Sequence, residues 1–219
     1  MSVQMVKSPR YTKGERTRER ILDCAMELFS RSGFAAVSLR DIAAHANISH
    51  AGLLKHFDGK DELLIRVLDR REAVEAEIQA TERGIGVVQV VMNMITRNMS
   101  APGLVALYVK IAGEATAPDH PAHEHFRRRY RRIRAVVADA LRRHIDSLPA
   151  GERRPFDPDL AAAELVALSD GIQTQWLLEP DVIDMRAILL DAFDRLGFDT
   201  TDARRSISPT ISLEARSPQ

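Results

Sequence analysis

Three residues, Ser38, Ser49 and Lys60, stand where helices are predicted to begin. A helix N-terminus carries unpaired backbone N–H groups and the positive end of the helix dipole, so it attracts anions. A serine hydroxyl at such a position can cap the helix and also reach a phosphate oxygen. Between these three starts lie Arg40, His50, Ala51, Leu54, Lys55 and His56. The chemistry open to this set is recognition of a phosphate-bearing polymer. Residues 38–57 read as two short helices joined by a tight turn, Ala46-Asn47-Ile48. In a helix-turn-helix the second helix enters the DNA major groove with its N-terminal residues at base edges. That places His50 and Ala51 at the bases. Lys55 and His56, one turn further on, fall at the backbone.

The elements that must hold these residues are helical throughout. No sustained period-2 run suggests a strand, and apolar residues recur at three and four positions instead. The predicted fold class is all-α: an N-terminal three-helix DNA-binding domain and a C-terminal helical bundle for regulation and dimerisation. A first helix over about 14–32 carries Ile21, Leu22, Ala25, Leu28 and Phe29 on one face, and Gly33 reads as a left-handed stop. Ser38 with Asp41 forms a capping-box pattern for the second helix. Asn47 is one of the few non-glycine residues that tolerate the left-handed backbone the turn wants. The third helix is predicted from Ser49 to about Phe57, and a fourth starts at Lys60. Further helices follow over about 86–99, 103–116, 121–148, 157–179 and 182–196. The domain boundaries read as 14–75, 76–199 and an unstructured tail over 200–219, and residues 1–12 read as frayed.

Composition narrows the function classes. The 219 residues carry 31 Lys+Arg and 31 Asp+Glu, so the net charge is zero and the chain is no general polycation. The charges are uneven. Residues 1–60 hold ten Lys/Arg against six Asp/Glu, a difference of +4, and the remainder sums to −4. A basic N-terminal module suggests a polyanion partner. The single Cys24 excludes an internal disulfide and a multi-cysteine zinc site, and it reads as a small core residue. No apolar run is long enough to span a membrane and no signal-peptide core is present, so a cytoplasmic, nucleoid-associated location is expected.

The stretch Ser38-Leu39-Arg40-Asp41-Ile42-Ala43-Ala44-His45-Ala46-Asn47-Ile48-Ser49, with Leu53-Leu54-Lys55-His56-Phe57-Asp58-Gly59-Lys60-Asp61-Glu62-Leu63, resembles the DNA-binding domain of the TetR (tetracycline repressor) family. Ile21-Leu22-Asp23-Cys24-Ala25, Leu28-Phe29 and Gly33-Phe34 are similar to that family's first helix. The resemblance covers about residues 14–75. It implies a homodimeric transcriptional regulator, a repressor in the usual case, that binds a palindromic operator and is released by a small apolar or amphipathic effector. By position it implies phosphate contacts at Ser38, Ser49, His56 and Lys60 and base reading at His50 and Ala51. Two positions depart from the pattern. Asn47 stands where the family usually has glycine. Leu54 stands where a tyrosine commonly touches the backbone, and Lys55 beside it could substitute.

Other residue groups carry weaker signals. Asp119, His120, His123, Glu124 and His125 are metal-ligand types, but Pro121 sets a helix start between them and favours a cap, so no metal is expected. Gly84-Ile85-Gly86 lacks the preceding strand that dinucleotide binding needs. Arg127, Arg128, Arg129, Arg131, Arg132 and Arg134 read as solvated faces of a helix whose buried stripe is Phe126, Tyr130, Ile133, Val137 and Ala140. An effector pocket is expected among Met92, Met99, Tyr108, Phe126, Gln173 and Trp176. A four-helix dimer interface is expected from Leu165, Leu168, Ile172, Ile188, Leu189, Phe193 and Leu196, with Trp176 on the same stripe. No nucleophile elbow, zinc-protease motif, phosphate loop or catalytic pair is present, so an enzyme is not expected and no cofactor is implied. The competing reading is a small-molecule-binding helical dimer that has lost or weakened its DNA binding.

Overall fold

The computed structural model describes residues 12–82, 86–149, 151 and 156–206. Ten helices and no strand occur among them: α1 Lys13–Ser32, α2 Leu39–His45, α3 His50–Leu54, α4 Lys60–Thr81, α5 Val87–Met99, α6 Pro102–Glu114, α7 His123–Ser147, α8 Pro158–Leu178, α9 Met185–Arg195 and α10 Thr201–Ser206. None of the described helices is long and apolar enough to cross a membrane. The chain divides into two compact units. Met1–Ala76 with Lys110–Phe126 forms the first, and Glu77–Val109 with Arg127–Gln219 forms the second. The segment 110–126 thus groups with the N-terminal residues, which a linear division at 75/76 does not capture.

Local chemistry sets the ends of the helices in the first unit. Thr12 and Glu15 close a capping box at the start of α1. Its buried face is Ile21, Leu22, Ala25, Leu28 and Phe29, joined in burial by Val37, Ile42, Leu53, Phe57, Leu63, Leu64, Val67 and Leu68. Each large side chain taken fully from water contributes about 2 kcal/mol. Helix α1 stops at Gly33, with φ 84° and ψ 155°. This is not the left-handed helical stop expected from the sequence. It is an extended conformation at positive φ that is essentially confined to glycine.

Several expected boundaries move: α6 ends at Glu114 rather than near 116, and α9 begins at Met185 rather than near 182, capped by Asp184. Helix α3 ends at Leu54 rather than near Phe57. The amides of His56 and Phe57 both donate to the Leu53 carbonyl, at 2.9 and 3.2 Å, closing a turn that still buries Phe57. Helix α7 begins at His123 rather than Pro121, because the Ala122 amide donates to His120 Nδ1 at 3.1 Å and holds the preceding residues in a turn. In the expected tail, Thr201–Ser206 is helical. Thr200 Oγ1 donates to Asp194 at 2.5 Å, Arg204 pairs with the same carboxylate, and Ala203 is buried. Residues 207–219, 1–11 and Gly84-Ile85 lie outside the described residues, while Gly86 is the N-cap of α5.

The core of the second unit includes Val88, Met92, Ile95, Leu141, Leu165, Ile172, Trp176, Leu189, Leu190 and Phe193. This corrects part of the expected dimer surface. Leu165, Ile172, Leu189 and Phe193 are spent inside the chain's own core, and a side chain already out of water gains nothing from a partner. Leu168, Ile188 and Leu196 pack against that core and keep part of their surface. The exposed large apolar residues on and after α8, among the described residues, are Leu160, Leu178 and Val182.

Candidate nucleic-acid interface

The first cap is reciprocal. The Asp41 amide donates to Ser38 Oγ at 3.2 Å, and the Ser38 amide donates back to Asp41 Oδ2 at 2.8 Å. The Ser38 hydroxyl also donates to Asp41 Oδ2, at 2.6 Å. These bonds, the side-chain one first, hold the Asp41 carboxyl below the usual aspartate range. The second cap is simpler: Ser49 Oγ accepts from the Gly52 amide at 3.0 Å, which leaves its proton to donate outward. A Cβ added at Gly52 would sit 3.1 Å from Ser49 Oγ, so glycine keeps that cap unstrained. The two serines therefore differ. Ser38 spends its proton on Asp41, whereas Ser49 can cap and donate to a phosphate at once.

The turn between α2 and α3 passes through Asn47 at φ 51°, the left-handed conformation expected there. The Asn47 and Ile48 amides donate to Ala44 and Ala43 carbonyls at 3.0 Å each. This turn aims α3. Leu53 and Phe57 point into the core at 0% and 1% exposure, while His50, Ala51, Leu54 and Lys55 face solvent.

Ser38, Arg40, His50 and Lys60 come together around one cleft of about 520 Å³, completed by Ala35, Ala36, Val37 and Leu39. The Lys60 ammonium donates to the Ala35 carbonyl at 3.2 Å and lies 4.4 Å from the Phe34 ring centroid. Its remaining protons are available to an anion. Arg40 and Lys55 form no ion pair with any described residue. Ser49, Ala51, Leu54, Lys55 and His56 lie outside the cleft lining.

A set of side chains that sequence reasoning missed braces this surface. Arg18 Nη1 donates to the His56 carbonyl at 2.6 Å, and its guanidinium stacks 4.2 Å from the Phe57 ring centroid. His45 Nε2 donates to Glu27 at 3.0 Å, joining α2 to α1. Arg70 on α4 pairs with Asp23 at 2.6 Å and Glu19 at 3.3 Å on α1. Glu62 accepts from the Asp58 amide at 2.6 Å at the start of α4, which lowers its carboxyl pKa. The Arg18, His45 and Arg70 pairs join residues 18 or more positions apart and leave no periodic signal.

The histidine cluster divides among separate partners. His120 Nδ1 takes the Ala122 amide, and the ring lies 3.6 Å from Glu114. His123 Nδ1 donates to the Ala115 carbonyl at 2.8 Å. His125 is buried and donates to Asp69 on α4 at 3.0 Å. No group of three or more His, Cys, Asp or Glu among the described residues is placed to hold a metal. Burial, as the largest cause, pushes the Cys24 thiol pKa up, away from a reactive thiolate. Arg127, Arg128, Arg131, Arg132 and Arg134 are solvent-exposed on α7, and Arg129 lies over the Tyr108 ring at 5.0 Å.

The expected effector residues are divided between the two units. Phe126 is buried in the first unit, while Met92 and Trp176 belong to the core of the second. Met99, Tyr108 and Gln173 are half-buried in the second unit. A contact there that sequence reasoning missed joins Tyr130 of α7 to Asp170 of α8, with the phenol donating at 2.7 Å.

Comparison with known proteins agrees with this architecture. Residues 21–67 match the model of bacterial regulatory proteins of the tetR family, and residues 86–197 match the C-terminal model of BetI-type transcriptional repressors. The chain is 30% identical to UidR, an HTH-type transcriptional regulator of Escherichia coli K12, over 154 residues, covering 69% of this chain and 75% of UidR. It is 43% identical over 58 residues to an HTH-type transcriptional repressor of Mycobacterium tuberculosis, a match spanning 26% of this chain and 31% of that relative. Among solved structures, a transcriptional regulator from Saccharomonospora viridis in complex with choline aligns with a TM-score of 0.70 at 24% identity, over 84% of this chain and 97% of that one. Salmonella enterica GusR aligns with a TM-score of 0.66 at 21% identity, over 86% and 98%. At these identities the structural likeness speaks for the fold; the family models and UidR carry the assignment. With an N-terminal helix-turn-helix DNA-binding domain and an all-helical C-terminal part, the chain belongs to the TetR family of transcriptional regulators.

Proposed function

We propose that this regulator represses transcription as a homodimer on a palindromic operator and is released by a small molecule bound in its second unit. The observation that carries the reading is the cleft shared by Ser38, Arg40, His50 and Lys60, beside the outward face of α3. It joins cations and helix N-termini where a phosphate backbone would run, and base-reading positions where the groove would open.

The exposed side of α8 supports the dimer. Leu160, Glu164, Ala167, Gly171, Thr174 and Leu178 are all exposed and recur at three- and four-residue spacing. A stripe of this kind, small in the middle and apolar at both ends, suits close packing against a second copy. Dimerisation would set the two recognition helices about 34–36 Å apart, one DNA turn. Light scattering that finds only monomer at micromolar concentration removes this part of the reading.

The Tyr130–Asp170 pair supports a cationic effector. Asp170 remains accessible and makes no ion pair with any described residue. The surrounding protein nonetheless raises its carboxyl pKa, burial being the largest cause. An accessible carboxylate that accepts one phenol hydrogen bond and has no ion-pair partner among the described residues can take an incoming cation. The choline held by the Saccharomonospora viridis regulator is such a cation. An effector alters DNA affinity only by binding one spacing of the dimer better than another.

The deciding experiment is selection of random-sequence duplex DNA by the full chain at near-physiological salt. An enriched palindrome, lost in a Ser49→Ala/His50→Ala double variant, is the expected result. A folded dimer that enriches nothing favours the reading of a ligand-binding protein without DNA recognition. Choline is the first probe for release; an Asp170→Asn variant that still binds choline equally well removes the cation site.

A further inference from the structure

Leu54 breaks the pattern of its surroundings. Leu53 and Leu54 are adjacent in sequence, yet Leu53 is fully buried and Leu54 is 42% exposed. The turn at Asn47 points Leu53 into the core and leaves Leu54 on the outward row of α3, three residues after the exposed Ala51. His50 and Lys55 flank this row and are exposed as well. The fold therefore does not need Leu54 where it is, and a large apolar side chain stands on the exposed face of α3 among His50, Ala51 and Lys55. Leucine has no hydrogen-bonding group, so it cannot hold a phosphate as a tyrosine hydroxyl would. In the major groove one apolar group is on offer among the four bases, the 5-methyl group of thymine.

We infer that Leu54 is a specificity-determining residue that packs on a thymine 5-methyl group of the operator half-site, with the Ala51 methyl extending the same apolar row. The inference rests on the DNA-binding reading of α3 and continues that interface by one residue type. It gives Leu54 a positive role: sequence preference replaces a sequence-independent phosphate contact. The phosphate footing then falls to Ser49, Lys55 and Lys60, whose proton donors remain available on this face. Removing one methyl from such a contact weakens binding about four-fold per half-site.

The test uses the full chain and a duplex enriched from random sequence, resynthesised with deoxyuridine in place of thymine at one symmetric position at a time. Deoxyuridine lacks only the methyl group, so base pairing is kept. At one position per half-site, the expected loss in fluorescence anisotropy titrations is about four-fold per methyl, and Leu54→Ala abolishes that difference. Because Leu54 is exposed, Leu54→Ala should melt as the parent does, and circular dichroism checks this. If no position shows a penalty that depends on Leu54, or if the variant weakens thymine and deoxyuridine duplexes equally, the inference is overturned. A chain that enriches no duplex overturns the DNA reading itself, and this inference with it.

Discussion

The DNA-facing surface of the first unit and the core of the second are positioned by different contacts. In the first, groups close to one another in sequence set the starts of α1, α2 and α3: Thr12 with Glu15, Ser38 with Asp41, Ser49 with the Gly52 amide. In the second, the core joins residues from α5, α7, α8, α9 and α10 that no short motif connects. The carboxylates show the same contrast. Hydrogen bonds from Ser38 lower the Asp41 pKa, whereas at Asp170 the surrounding protein outweighs the Tyr130 hydrogen bond and the pKa is raised. Local caps, braced by the longer-range Arg18, His45 and Arg70 pairs, can present a fixed surface to DNA. A unit built from distant contacts can enclose a ligand, and its specificity depends on which residues those contacts bring together.

The largest effect tests whether adjacent leucines really divide between fold and surface. Leu53→Ala should cost about 3 kcal/mol in urea denaturation and abolish DNA binding, because it empties a fully buried site. Leu54→Ala should stay within about 0.5 kcal/mol of the parent. Equal costs would erase the distinction. Next comes Gly33→Ala, expected to lose about 2 kcal/mol because φ 84° with ψ 155° strains any side chain; a neutral result would mean the loop after α1 relaxes freely. Ser49→Ala should cost about 1 kcal/mol through the lost cap and weaken DNA binding further than that loss of stability explains. A purely structural cap would leave the affinity of the folded protein unchanged.

The smallest effect is a pair of opposite acid responses. Asp41 has a folded pKa below its ordinary 3.8, so its contribution is complete above about pH 4 and is lost as pH falls through the lowered value. Asp170 has a folded pKa above 3.8, so its folded state binds the extra proton and stability declines as pH rises from about 4 through the raised value. Denaturation of Asp41→Asn and Asp170→Asn across this range should flatten the two slopes in opposite directions. The same sign in both would dissolve the contrast between the units.

How much was legible in the sequence follows the same division. The caps, the Asn47 turn and the burial of Leu53 and Phe57 follow from local spacing, and the structure agrees with each. Gly33 was recognisable as a stop, but its ψ of 155° was not, because glycine at positive φ accepts either the helical or the extended ψ. Arg18 could not be found, since its partner carbonyl at His56 lies 38 residues away. The apolar stripes of α8 and α9 were visible, yet periodicity cannot say which face meets the chain's own core. Leu165 and Phe193 face inward, and the outward stripe runs through Leu160, Ala167, Gly171 and Leu178. Tyr130 was visible as part of an apolar stripe, but its pairing with Asp170, 40 residues on, was not.

The central claim is that the cleft and the outward face of α3 form one DNA interface with separate phosphate and base contacts. Its most direct test is the salt dependence of binding for the parent, Lys60→Ala and His50→Ala on the enriched duplex and on an unrelated duplex. Lys60→Ala should weaken both duplexes alike and reduce the salt slope by about one. His50→Ala should keep the parent's salt slope and narrow the preference between the two duplexes. If both variants change slope and preference in the same way, the division of contacts is contradicted.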